Sequence, residues 1–95
     1  MRREAILHTL HAHKQQLAAK YGVIRLGVFG SVARGQATEA SDVDIIVEMP
    51  PDLFKMVHIK EELEQLLGVP VDLIRQNKHL NALLKSRIDN EAIYV

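Results

Sequence analysis

Cysteine is absent from the 95 residues, which excludes a disulfide framework and a thiolate metal site. An excess of charge is absent too: twelve Lys and Arg are balanced by twelve Asp and Glu. Tight binding to nucleic acid rests on basic side chains neutralising phosphates, so this balance speaks against direct nucleic-acid binding. No apolar run approaches the roughly 20 residues that span a bilayer. The opening MRREAILHTLHAHKQQ also lacks the apolar stretch of a secretory signal. These absences predict a cytoplasmic chain with no membrane partner. What is present is ordinary for a soluble globular protein, with 47% hydrophobic and 25% charged residues. The length suits one domain, 1–95, with a single modest core.

Along the chain, Ile6, Leu7, Leu10, Leu17 and Ala18 fall at helical spacing, which predicts a helix over 2–20 stopped by Gly22. Residues 24–29 are short, rich in β-formers and end at Gly30, a strand pattern. A brief helix opening on Ser31 and closed by Gly35 is expected next, then a polar loop over 36–41. Residues 42–48 read as a second strand, with Val43, Ile45 and Val47 facing the core. After Pro50-Pro51, Asp52 is a suitable cap for a helix over 53–67, with Phe54, Val57, Leu63, Leu66 and Leu67 as its apolar stripe. Residues 70–74 form a third strand. A last helix is predicted over 79–88 with Leu80, Leu83, Leu84 and Ile88 inward, and 92–95 can add a terminal strand. The order predicts a small α/β fold: a short sheet of three to four strands flanked by helices.

The segment with chemical content is GSVARGQATEASDVD, residues 30–44. Alternate residues of a strand share a face, so Asp42 and Asp44 are expected side by side. Two carboxylates about 4 Å apart repel by roughly 1 kcal/mol in water and about 4 kcal/mol at an effective dielectric of 20. A divalent cation between them removes that repulsion. Oxygen-only ligands suit Mg²⁺, which takes one or two carboxylates together with waters and substrate phosphates. Gly30 lets the backbone approach a ligand closely. The first amides of the helix after it, with the Ser31 hydroxyl, suit a phosphate. Alone, Gly-Ser is a common turn. Combined with Asp-x-Asp after a fixed gap, it arises by chance in about one chain of this length in a thousand. A third carboxylate is needed near the acceptor in a metal-assisted phosphoryl or nucleotidyl transfer. Asp72 is the candidate, a charge in an otherwise apolar strand that is costly unless paired or metal-bound. The other reading of Asp72, a strand-end residue at the solvent edge, stays open.

At these residues the chain resembles the DNA polymerase β-like nucleotidyltransferases, marked by Gly-Ser, a gap of about ten residues and Asp-x-Asp. GSVARGQATEASDVDIIV looks closest to the minimal nucleotidyltransferases, or MNT proteins. The likeness extends over nearly the whole chain, to VDLI and the closing EAIYV. It implies the nucleotidyltransferase fold, ATP as donor, Mg²⁺ as cofactor, Ser31 on the nucleotide phosphates, Asp42 and Asp44 on the metal, and Asp72 completing the triad. It also implies an antitoxin that transfers AMP from ATP to a hydroxyl, a tyrosine's, of a HEPN ribonuclease toxin, in a hetero-oligomer with it. Two alternatives stand beside this reading: an antitoxin that works by covering its toxin, and a transferase with a small-molecule or RNA acceptor. The small size agrees with an acceptor presented by a partner protein.

Some residues invite other readings. Arg34 follows the phosphate turn and is a candidate for a phosphate or a partner's carboxylate, or is a plain solvated arginine; Ser41, beside Asp42, is a candidate for phosphate or for the loop itself. Arg75 ends the third strand, a weaker nucleotide candidate. His8 and His11 share a helical face with His13 nearby, yet nothing around them completes a zinc site, so they read as surface histidines. Tyr21 and Tyr94 read as packing residues.

Overall fold

The structure, a computed structural model, describes residues 3–95. The first helix, α1, runs Arg3–Tyr21 and buries Ile6, Leu10 and Leu17; Arg2, where it was expected to begin, lies outside the described residues. Strand β1 is Arg25–Phe29, followed directly by the single-turn helix α2, Gly30–Ala33, which opens on Gly30 rather than Ser31. Strand β2 is Val43–Glu48, with Asp42 just ahead of it. Helix α3 spans Leu53–Leu67, strand β3 Val71–Arg75, helix α4 Ala82–Glu91 and strand β4 Ile93–Tyr94.

The four strands form one mixed sheet in the order β3-β2-β1-β4. β1 pairs antiparallel with β2 and with β4, whereas β2 and β3 are parallel across the α3 crossover. β2, one of the two inner strands, buries Val43, Ile45 and Val47 on one face and Ile46 on the other, where Asp44 and Glu48 are half-buried. Val43, Ile45 and Val47 join the main core with α1 and α3, through Ile6, Leu10, Leu17, Ile59 and Leu63. On the other face Ile46 packs with Phe29 and Ile88 beneath α4. That second core is thin, and the sheet face above it carries Asp44.

Two helices depart from their expected faces. In α3 the buried residues are Ile59 and Leu63, with Met56 and Leu67 packed beside them, whereas Phe54 and Val57 are exposed. Leu63 and Leu67 keep their expected places, while Phe54 and Val57, on the far side of the helix from Leu63, give way to Met56 and Ile59. In α4, Ile88 is buried and Leu84 packs beside it, but Leu83 is exposed. This helix also starts three residues later than expected. Asn77 folds the preceding chain into a turn, its Oδ1 accepting from the His79 amide at 2.8 Å, and Asn81 supplies the cap, accepting from the Leu84 amide at 2.9 Å. At α3 the expected cap holds: Asp52 Oδ1 accepts from the Lys55 amide at 3.1 Å.

Candidate functional site

Three chain segments meet where β1 gives way to α2. β1 ends at Phe29, whose partner across the antiparallel ladder is Asp44. Gly30 then turns the chain with φ +71°, a left-handed conformation that L side chains rarely adopt. The turn brings the Gly30 α-carbon against the Asp44 carboxylate: a Cβ placed there would stand 3.0 Å from Asp44 Cγ and collide with Oδ2. Glycine is required twice over, by the dihedral and by the neighbour. Ser31, half-buried, is the next residue of α2.

The third segment is β3. In the parallel ladder Asp44 is opposite Asp72, and in-register residues of neighbouring strands share a face at the interstrand spacing of about 4.8 Å. Asp72 is exposed on the edge strand. Of the two readings of Asp72, the structure has the solvent-edge one, not a costly charge in an apolar strand; its neighbour in register is Asp44. Asp42, also exposed, lies two residues before Asp44.

Electrostatics express this crowding. The half-buried Asp44 carboxyl is raised above the ordinary aspartate range, first by burial and then by the charge of Asp72, with a smaller push from Asp42; Arg87 and Arg34 act against the shift. Among the described residues, no three His, Cys, Asp or Glu side chains form a group able to hold a metal ion by themselves. Asp42, Asp44 and Asp72 are therefore not gathered into such a group; their carboxylate oxygens are ligands of the kind a hard cation such as Mg²⁺ takes together with water and phosphate oxygens. A carboxylate such as Asp44, whose proton affinity is raised by burial and by neighbouring negative charge, gains from such a cation.

Arg34, the residue after α2, is engaged within the chain. Its Nη1 donates to Glu91 Oε1 at 2.8 Å and its Nε to Gln36 Oε1 at 3.0 Å. The other Glu91 oxygen, Oε2, accepts from the Gly30 amide at 3.1 Å. Ser41 serves its loop: its Oγ accepts from the Thr38 amide at 3.0 Å. Arg75 is turned to main-chain carbonyls of Met49 and Gln76, each at 3.3 Å, at the far end of β3 from Asp72. His8 and His11 are exposed, and His13 Nδ1 bonds the Thr9 carbonyl at 2.8 Å. Tyr94 packs over Gly27, under the Arg25 guanidinium at 3.8 Å, and Tyr21 borders the main core.

Glu91 and Arg87 are site neighbours that the sequence reading missed. They are four residues apart on α4, hence on one helical face. The expected helix stopped at Ile88, which left Glu91 outside it; extending the helical pattern three residues would have exposed the pair.

Comparison with known proteins places this geometry. A family model described as Nucleotidyltransferase domain matches residues 10–95. Protein adenylyltransferase MntA of Thermococcus cleftensis is 43% identical over 94 residues, covering 97% of this chain and 94% of the relative. A solved structure described as a candidate minimal nucleotidyltransferase superposes with a TM-score of 0.74 at 38% identity, covering 98% of this chain and 95% of the other. A chain from the complex of a tri-AMPylated Shewanella oneidensis HEPN toxin with MNT antitoxin superposes with a TM-score of 0.68 at 16% identity, over 97% of this chain and 70% of that one. At that identity the last likeness is one of fold.

Proposed function

From the premise that this chain belongs to the nucleotidyltransferase domain family, we propose that it transfers AMP from ATP to a tyrosine hydroxyl of a HEPN ribonuclease toxin and thereby acts as an antitoxin. The observation that carries this reading is the meeting of the Gly30–Ser31 turn with the in-register pair Asp44 and Asp72 on one open sheet face. The related adenylyltransferase and the AMPylated toxin complex support the choice of AMP and of a protein acceptor.

In this reading Ser31 and the amides that follow Gly30 bind the triphosphate, the Gly30 amide itself being held by Glu91. Asp42, Asp44 and Asp72 would hold Mg²⁺, which when bound neutralises the charge gathered on the phosphates and carboxylates. The acceptor oxygen bonds to the α-phosphorus while the bond to the bridging oxygen of the β-phosphate breaks, and pyrophosphate leaves. Asp72, exposed on the edge strand, orients the acceptor hydroxyl and receives its proton. The same openness suits a large acceptor.

Incubation with the HEPN toxin, Mg²⁺ and ATP labelled at the α-phosphate tests the reading. The native protein is expected to label the toxin, and the double variant Asp42→Asn/Asp44→Asn to lose labelling by more than about a hundred-fold, since even outer-shell changes at metal sites cost 10–100-fold. A toxin that stays unlabelled, yet is neutralised equally by both proteins, would favour sequestration. Label incorporated without the toxin would point to a small-molecule or RNA acceptor.

A further inference from the structure

A helix of four residues does not support itself. Its single turn fixes several dihedrals for very few internal hydrogen bonds, and at α2 the capping residue, Phe29, offers no side-chain hydrogen bond. The turn carrying Ser31 must be held by tertiary contacts. Val32 and Ala33 are buried in the main core, and Arg3 Nη1 donates to the Ala33 carbonyl at 3.0 Å. Glu91 adds a grip on the two ends from one carboxylate: Oε2 accepts from the amide of Gly30, the first residue of α2, and Oε1 accepts from Nη1 of Arg34, the residue that ends it. Both ends of α2 are thus gripped by one side chain.

Glu91 is well placed to act as a fixed point. It is the last residue of α4, whose Ile88 is buried under the sheet. The strand that follows is paired to β1 through Gly27 with Tyr94 and Val28 with Ile93. The clamp is therefore built on an anchored helix and an anchored strand. Its position is otherwise unfavourable, because a carboxylate in the last turn of a helix faces the negative end of the helix dipole. The return on that placement lies in α2. The ion pair is open to solvent on the arginine side, with side-chain exposures of 19% for Glu91 and 39% for Arg34, and Gln36 holds the guanidinium from a second side.

Building on the reading of Gly30–Ser31 as the donor-phosphate turn, we infer that Glu91 is a positioning residue for the ATP phosphates, acting through Gly30 and Arg34. Arg34 is then a strut of the turn, spent on Glu91 and Gln36, and the carboxylate it neutralises no longer repels an incoming triphosphate.

The test is a double-mutant cycle read by calorimetric titration with Mg²⁺ and a non-hydrolysable ATP analogue. Glu91→Ala and Arg34→Ala are each expected to weaken binding by about ten-fold, and the double variant to be no more than about two-fold worse than either. In steady-state transfer, KM for ATP should rise while kcat changes by less than about two-fold. Glu91→Gln keeps the acceptor for the Gly30 amide and loses the ion pair; it is expected to fall between native and Ala, and it serves if the Ala variant fails to fold in thermal melts. Unchanged binding in the variants, or additive losses, would overturn the clamp. Tighter binding in the variants would do so as well, because it would mean that the carboxylate competes with phosphate. A native protein that does not bind the analogue would instead overturn the donor-site reading itself.

Discussion

The Asp44 carboxylate rests on the α-carbon of Gly30, in a space that any larger residue at 30 would fill. Gly30→Ala therefore meets two obstacles. A left-handed backbone costs a non-glycine residue about 1–2 kcal/mol, and the new methyl displaces the carboxylate besides. Urea unfolding should show Gly30→Ala destabilised by at least that amount, with transfer activity lost. In an Asp44→Ala background the collision is relieved and only the backbone cost persists, so the same substitution should be cheaper there. Equal costs in both backgrounds would mean that Asp44 is not what Gly30 makes room for.

The raised proton affinity of Asp44 has a sign that a melting experiment can read. Its folded-state pKa lies above its unfolded value, so between the two the folded chain binds more protons than the unfolded one. Stability then falls as pH rises through that window, and the penalty is complete above the folded value. With a chelator present, Asp44→Asn should be more stable than the native protein at neutral pH, and the gap should close as pH drops below the ordinary aspartate range. Adding Mg²⁺ should raise the native melting temperature by mass action and affect the variant less. A variant no more stable than native at pH 7 in chelator would contradict the crowding of Asp44 by Asp72 and Asp42.

Asp72 separates donor binding from transfer. It is exposed on the edge strand while Asp44 is half-buried beside the turn, so the two carboxylates of the register pair are not equivalent. Asp72→Asn should leave affinity for an ATP analogue within about three-fold of native. Labelling of the acceptor should fall by about 10²–10⁴-fold, the usual contribution of a positioned general base. If analogue binding and labelling fall together, Asp72 belongs to the donor side, and the proton needs another acceptor.

Much of this was legible because it is local. The strand before Gly30, the Asp52 cap and the alternation of helices and strands all depend on near neighbours in the chain; Asp42, expected as the first residue of the second strand, lies just ahead of it, and the sheet has four strands where three to four were expected. The residues that escaped depend on distant ones. Asp72 was singled out because of its apolar neighbours in sequence, but what sets it beside Asp44 is a parallel register that no periodicity encodes. Glu91 lies past the expected end of its helix and touches residues 57 and 61 positions earlier. For Arg34 a phosphate, a partner's carboxylate and plain solvent all stood open, because nothing in the sequence shows the carboxylate of the same chain that holds it. The faces of α3 and α4 were ambiguous for a different reason: each has more apolar residues than one stripe holds, and only packing against the sheet selects among them.

That selection in α3 yields a sharp contrast. Phe54 is 80% exposed and Ile59 is fully buried, although the larger aromatic was the more obvious core residue from the sequence. Phe54→Ser removes almost no buried surface, and should change unfolding free energy by no more than about 0.5 kcal/mol, as for an ordinary surface site. Ile59→Ala deletes three buried carbons among Leu10, Leu63 and the inner face of the sheet, and should cost about 2–5 kcal/mol through lost transfer energy and the cavity left behind. Since α3 leads the chain from β2 to β3, loosening its seat also loosens the register that brings Asp72 to Asp44. Ile59→Ala should therefore lower transfer activity at temperatures well below its own melting point, whereas Phe54→Ser should not. Comparable destabilisation by the two substitutions would show that α3 seats its other face on the sheet.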